Sequence, residues 1–104
     1  MFKFSVGEKV QTQLSIALDG EIDIYSAPDF KKKLYEAIAD GRRDVVLDCS
    51  GLSYIDSMGL GILVGALKRV KEQGHNIAIK KPVSNVRKLL RITGLDKVFV
   101  IEEA

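Results

Sequence analysis

Apolar residues in this chain switch repeatedly between a two-residue period and a three-to-four-residue period, and that alternation restricts the fold more than any other feature. Phe2, Phe4 and Val6 alternate with polar residues, and so do Leu14, Ile16 and Leu18. The pair reads as a β-hairpin with a Gly-X turn at Gly7-Glu8, the second strand starting anywhere from Lys9 to Thr12, and each strand burying one face. Ser26-Ala27-Pro28-Asp29 then reads as a helix start. Ser26 is placed to cap, Pro28 sits where a missing N–H is harmless, and Asp29 suits the positive end of the dipole. Phe30, Leu34, Ala37 and Ile38 share one helical face, and Gly41 is a stop.

The rhythm continues. Val45-Val46-Leu47 is a continuous apolar run that suits a central, well-covered strand. Leu60, Leu63, Val64, Leu67 and Val70 recur at helical spacing until Gly74. Ile77-Ala78-Ile79 is a short strand, and a third helix from about Ser84 carries Val86, Leu89 and Leu90 as far as Gly94. Val98-Phe99-Val100-Ile101 reads as a last edge strand. The order is β-β-α-β-α-β-α-β, in which each strand–helix–strand unit favours a parallel pairing through a right-handed crossover. The expected fold is α/β: a mixed sheet of four or five strands with an N-terminal antiparallel hairpin and helices mainly on one face. A chain of 104 residues suits one such domain, spanning 1–104.

Composition narrows the function. Sixteen basic residues stand against fourteen acidic ones, and the two signs are interspersed. No aromatic residues interleave with the basic runs Lys31-Lys32-Lys33 and Lys80-Lys81, so direct nucleic-acid binding is not expected. Cys49 is the only cysteine, which excludes an internal disulfide and a cysteine zinc cluster. It reads as a small buried strand residue. The single histidine, His75, reads as a turn residue with no companions for metal or base chemistry. No apolar run is long enough to span a bilayer and no signal-peptide pattern occurs, so the expected location is cytoplasmic.

Chemistry concentrates in Asp56-Ser57-Met58-Gly59-Leu60-Gly61, which follows a strand and opens an amphipathic helix. Asp and Ser are favoured N-cap residues, which explains both without any function. The glycines fit capping less well, since each interior Gly costs about 1 kcal/mol relative to Ala. Gly59, Gly61 and Gly65 therefore call for a benefit: a close helix–sheet approach, a partner close to the backbone, or both. A dinucleotide site is a weak match, because the glycines begin well after the strand and the next strand ends at Lys80-Lys81 with no acidic residue for a ribose. No Walker-type phosphate loop occurs. A hydrolase is weaker still: His75 lies one helix away, roughly 25 Å at 1.5 Å per residue.

The run Asp48-Cys49-Ser50-Gly51-Leu52-Ser53-Tyr54-Ile55-Asp56-Ser57-Met58-Gly59-Leu60-Gly61-Ile62-Leu63 resembles the signature of bacterial anti-sigma factor antagonists, the STAS-domain family. Gly20-Glu21-Ile22-Asp23 with Ala27-Pro28 resembles the family's other recurrent segment, and the similarity extends over nearly the whole chain. It is to the stand-alone antagonist rather than the transporter-attached form. The resemblance implies a non-enzymatic partner switch without cofactor or metal. The unphosphorylated protein would bind an anti-sigma factor that is also a serine kinase, freeing the sigma factor. That kinase would phosphorylate the serine matching Ser57, ending the complex, and a serine phosphatase would restore binding. Family antagonists often carry a second hydroxyl residue immediately after that serine, where this chain has Met58. Asp23, Asp56, Met58, Gly59, Leu60 and Gly61 are the candidate partner-binding residues. The alternatives are a STAS-type sensory or scaffold module outside a sigma pathway and a small nucleotide-binding protein.

Overall fold

A computed structural model of the chain describes residues 1–103. Strands β1 (Lys3–Lys9) and β2 (Gln13–Ile22) lead into helix α1 (Ala27–Ile38), then β3 (Asp44–Ile55), α2 (Ser57–Glu72), β4 (Ile77–Lys80), α3 (Ser84–Ile92), a 3-10 turn (Leu95–Lys97) and β5 (Val100–Glu102). The five strands lie in sequence order in one sheet. β1 pairs antiparallel with β2, and β2 through β5 are mutually parallel.

That order explains the layering. Three successive parallel connections step along the sheet in the same direction, and right-handed crossovers then deliver all three helices to one side. Burial follows suit. Leu14, Ile16 and Leu18 of β2, Val45, Leu47 and Cys49 of β3, and Ile77 and Ile79 of β4 are buried. Their alternates Ser15, Ala17, Val46, Asp48, Ala78 and Lys80 are half-exposed. β3 is central but covered on one face only, so Val46 is less covered than a continuous apolar run suggests.

The helices seal this face. Phe30, Leu34 and Ile38 of α1 are buried, and the Phe30 ring meets Phe2 edge-on at 5.7 Å, which fastens the hairpin to the core. α1 and α2 touch where Tyr35 lies over Gly65, a site in which an added Cβ would strike the Tyr35 hydroxyl. Arg69 of α2 stacks on the Tyr35 ring at 4.6 Å and donates to the Ala39 carbonyl at 3.0 Å, satisfying the end of α1.

Three local expectations need correction. Gly7-Glu8 is not the hairpin turn but a bulge within β1: Val6 pairs with Ile16 and Lys9 with Leu14, leaving two residues opposite one. The turn lies at Val10–Thr12, closed by Val10 N–H donating to the Gln13 carbonyl at 2.9 Å. Val98 and Phe99 are not strand residues. They wind back on the 3-10 turn, each donating to the Leu95 carbonyl, so β5 starts at Val100 and Phe99 joins the buried core. Ser26 precedes α1, but its side chain makes no capping bond to the helix. Among the described residues, no helix is long and apolar enough to cross a membrane.

Candidate functional site

β2 and β3 finish together, with Ile22 paired to Ile55. In each strand the next residue is an aspartate, Asp23 or Asp56, so both loops leave the same end of the sheet side by side. The amide of Asp56 donates to the Ile22 carbonyl at 3.1 Å, which stitches the two exits together.

Asp56 is the N-cap of α2. Its backbone is extended (φ −99°, ψ −178°), its side chain accepts from the Gly59 amide at 3.0 Å, and its carbonyl takes the first helical bond, from Leu60 at 3.0 Å. An acidic cap also complements the positive end of the helix dipole. Ser57 is the first helical residue and is exposed. With Asp56 doing the capping, the Ser57 hydroxyl is not needed to start the helix. His75 lies beyond the other end of α2, with Nδ1 3.2 Å from an Asp44 carboxylate oxygen, so it supplies no base to Ser57.

The neighbouring loop is built around Asp23. Its carboxylate accepts from the amides of Tyr25 at 2.9 Å and Ser26 at 3.1 Å. The Ser26 hydroxyl accepts from the Asp23 amide at 3.0 Å and donates to the Glu21 carbonyl at 2.8 Å. Ser26 is therefore occupied in closing the loop, which is why it does not cap α1. The amides of Ser26 and Tyr25 hold the Asp23 carboxyl below its ordinary value, by favouring the charged form.

This loop presents apolar side chains outward. Tyr25 is 87% exposed and Ile24 58%, and Met58 on the adjoining helix turn is 51% exposed. Ile24 and Tyr25 were not legible as site residues, because periodicity shows which residues can face a core and not which are left outside it. The other candidates divide cleanly. Asp23 and Asp56 are half-buried, while Ser57, Met58 and Gly61 are exposed. Gly59 and Leu60 belong to the core: an added Cβ on Gly59 would lie 2.7 Å from both Ile22 Cγ2 and Ile55 Cγ1, and Leu60 is buried. At Gly61 nothing stands within 4 Å of an added Cβ, so packing does not require a glycine there. α3 closes the rim, where the Asn85 side-chain amide donates to the Ser53 carbonyl at 2.7 Å.

A sequential mixed sheet with helices on one side matches a known class. The family model for the STAS domain matches residues 6–104, and the chain belongs to that family. Among its relatives is the anti-sigma-B factor antagonist of Bacillus subtilis (strain 168), 35% identical over 91 residues that cover 88% of this chain and 83% of the relative. A crystal structure of an anti-sigma factor antagonist from Mycobacterium paratuberculosis superposes with a TM-score of 0.81 at 28% identity, covering 100% of this chain and 87% of that one. The fold is shared with SpoIIAA in two states. Its unphosphorylated form gives a TM-score of 0.81 at 23% identity, covering 95% and 87% of the two chains. The phosphorylated form, from Bacillus, gives 0.73 at 22%, covering 95% and 90%.

Proposed function

We propose that this protein is an anti-sigma factor antagonist, switched by phosphorylation of Ser57. In its unmodified form it binds an anti-sigma factor with serine kinase activity and so frees the sigma factor. The observation that carries the reading is the position of Ser57: exposed at the start of α2, beside the Asp23 loop, with capping left to Asp56. The docking surface comprises Ile24, Tyr25, Met58 and the bare backbone at Gly61, with Asp23 and Asp56 holding the two loops in place.

The electrostatics favour a surface switch. A phosphate on Ser57 adds about −1.5 to −2 charges at neutral pH. At the first turn of α2 the helix dipole favours that charge by ~0.3–1 kcal/mol, so the scaffold is not penalised. A docked partner is. The dianion would have to be stripped of water against apolar Met58, Ile24 and Tyr25, and opposed by the acidic substrate phosphates of a kinase site. A serine phosphatase resets the cycle.

The test is to incubate the protein with candidate kinase-type anti-sigma factors and ATP. The expected result is one added phosphate mapped to Ser57, together with loss of the complex. Stable binding without modification would instead mark a STAS scaffold using the same rim. Absence of binding to every such kinase would overturn the reading.

A further inference from the structure

β1 stands at the end of the strand order with β2 as its one ladder partner, so its outer side carries unpaired backbone amides and carbonyls. Beside this edge lies a shallow groove of about 300 Å³, lined by Phe4 and Val6 of β1 and by Lys33, Glu36 and Ala37 of α1. Val6 pairs with buried Ile16, which places it on the helix-bearing face of the sheet, yet it is 52% exposed. The edge is blunted unevenly. The Gly7-Glu8 bulge and Lys9 disrupt its far end, whereas Lys3 to Val6 keeps a regular register against Asp19 to Ile16 and is open to another strand.

We infer that this edge is a self-association surface, pairing antiparallel with β1 of a second copy about a two-fold axis at Ser5. Ser5 lies midway between Phe4 and Val6, the two apolar residues of β1 that line the groove. Directly opposed residues of antiparallel strands share a face. With the axis at Ser5, each Phe4 therefore meets the other copy's Val6, and the two grooves join into one apolar seam. Each Lys3 meets a Gly7, so no like charges are opposed. The charges of α1 favour a second copy over a foreign strand. Lys33 and Glu36 are both exposed and opposite in sign, and a two-fold axis reverses chain direction, bringing Lys33 of each copy towards Glu36 of the other. Lys33 otherwise holds Asp29 at 3.1 Å in an exposed ion pair, which is weak enough to exchange. The product is a continuous sheet in which β1 is no longer an edge.

The test combines sedimentation velocity over a concentration series with cysteine cross-linking. The wild-type chain is expected to show reversible monomer–dimer exchange. Val6→Lys, at an exposed position, should weaken association by about tenfold or more, because it sets a charge in the apolar seam. Ser5→Cys reads the register. Opposed antiparallel residues have Cα atoms about 4.5–5.5 Å apart, inside the roughly 4.4–6.8 Å that a disulfide spans. Mild oxidation should therefore link Ser5→Cys into a covalent dimer, and Cys49 is buried and does not compete. Lys3→Cys should stay unlinked under the same conditions, since its two copies are offset by about 13 Å along the strands. A protein that remains monomeric up to millimolar concentration overturns the proposal. Unchanged association in Val6→Lys, or Lys3→Cys linking as fast as Ser5→Cys, overturns it equally.

Discussion

The Asp56 amide donates to the Ile22 carbonyl at 3.1 Å, and this one bond fixes the start of α2 against the end of β2. Everything exposed beyond it, from Ile24 to Tyr25 and from Ser57 to Met58, takes its position from two strand ends that are paired with each other.

Ser57→Ala should leave the protein folded and still able to bind the kinase partner while abolishing phosphate incorporation. The expected stability change is within about 0.5 kcal/mol, as for a surface substitution. Urea denaturation and intact-mass measurement check the two halves, and a variant that is still labelled at full stoichiometry would show that another residue is the acceptor.

Asp56→Ala removes the cap and should cost about 0.5–2 kcal/mol, whereas Asp56→Asn should recover most of it because Asn caps comparably. The urea midpoint distinguishes the pair. Equal loss in both would mean that charge matters more here than the bond to Gly59.

Gly59→Ala and Gly61→Ala are expected to move stability in opposite directions. At Gly59 the methyl would press on Ile22 and Ile55, and overpacking of that kind costs about 1–3 kcal/mol. At Gly61 the methyl enters open space, so helix propensity predicts a gain of up to about 1 kcal/mol. The same Gly61→Ala change should weaken kinase binding, measured by calorimetry, if a partner comes close to that backbone.

Asp23 should make the rim acid-sensitive. Its folded carboxyl is held below the ordinary value of 3.8, chiefly by the Ser26 and then the Tyr25 amide. A depressed pKa contributes stability that is present above the unfolded value and is lost as pH falls through the folded value. The stability difference between wild type and Asp23→Ala should therefore be constant near neutrality and shrink as pH drops below 3.8. A difference that grows on acidification would contradict the hydrogen-bonded loop.

Cys49 should be inert in the folded protein. Burial, followed by the nearby Asp48 charge, pushes its thiol up to about 12, so almost no thiolate exists at neutral pH. A thiol reagent should label it at the rate of local or global opening, and faster labelling than amide exchange in β3 would disprove this.

The layered architecture was legible because period changes mark strands and helices directly, and half-polar strands such as Leu14–Leu18 can bury only one side. What was misread shares a cause. Glycine marks bulges as well as turns, so Gly7-Glu8 looked like a turn when the chain needed an extra residue in the ladder. Apolar residues fill 3-10 turns as well as strands, so Val98-Phe99 looked like the start of β5. At the site, the sequence pointed to Asp56 and Ser57 through capping chemistry. It could not tell Gly59, pinned against Ile22 and Ile55, from Gly61, which faces open space, because that difference depends on helix orientation.

Because each crossover advances along the sheet without reversing, the segments following β2, β3 and β4 emerge as neighbours on one rim while the hydrophobic interior lies below them. Their exposed positions, Ile24, Tyr25 and Met58 among them, can change without repacking the interior. The rim can therefore vary in sequence while the architecture beneath it stays constant.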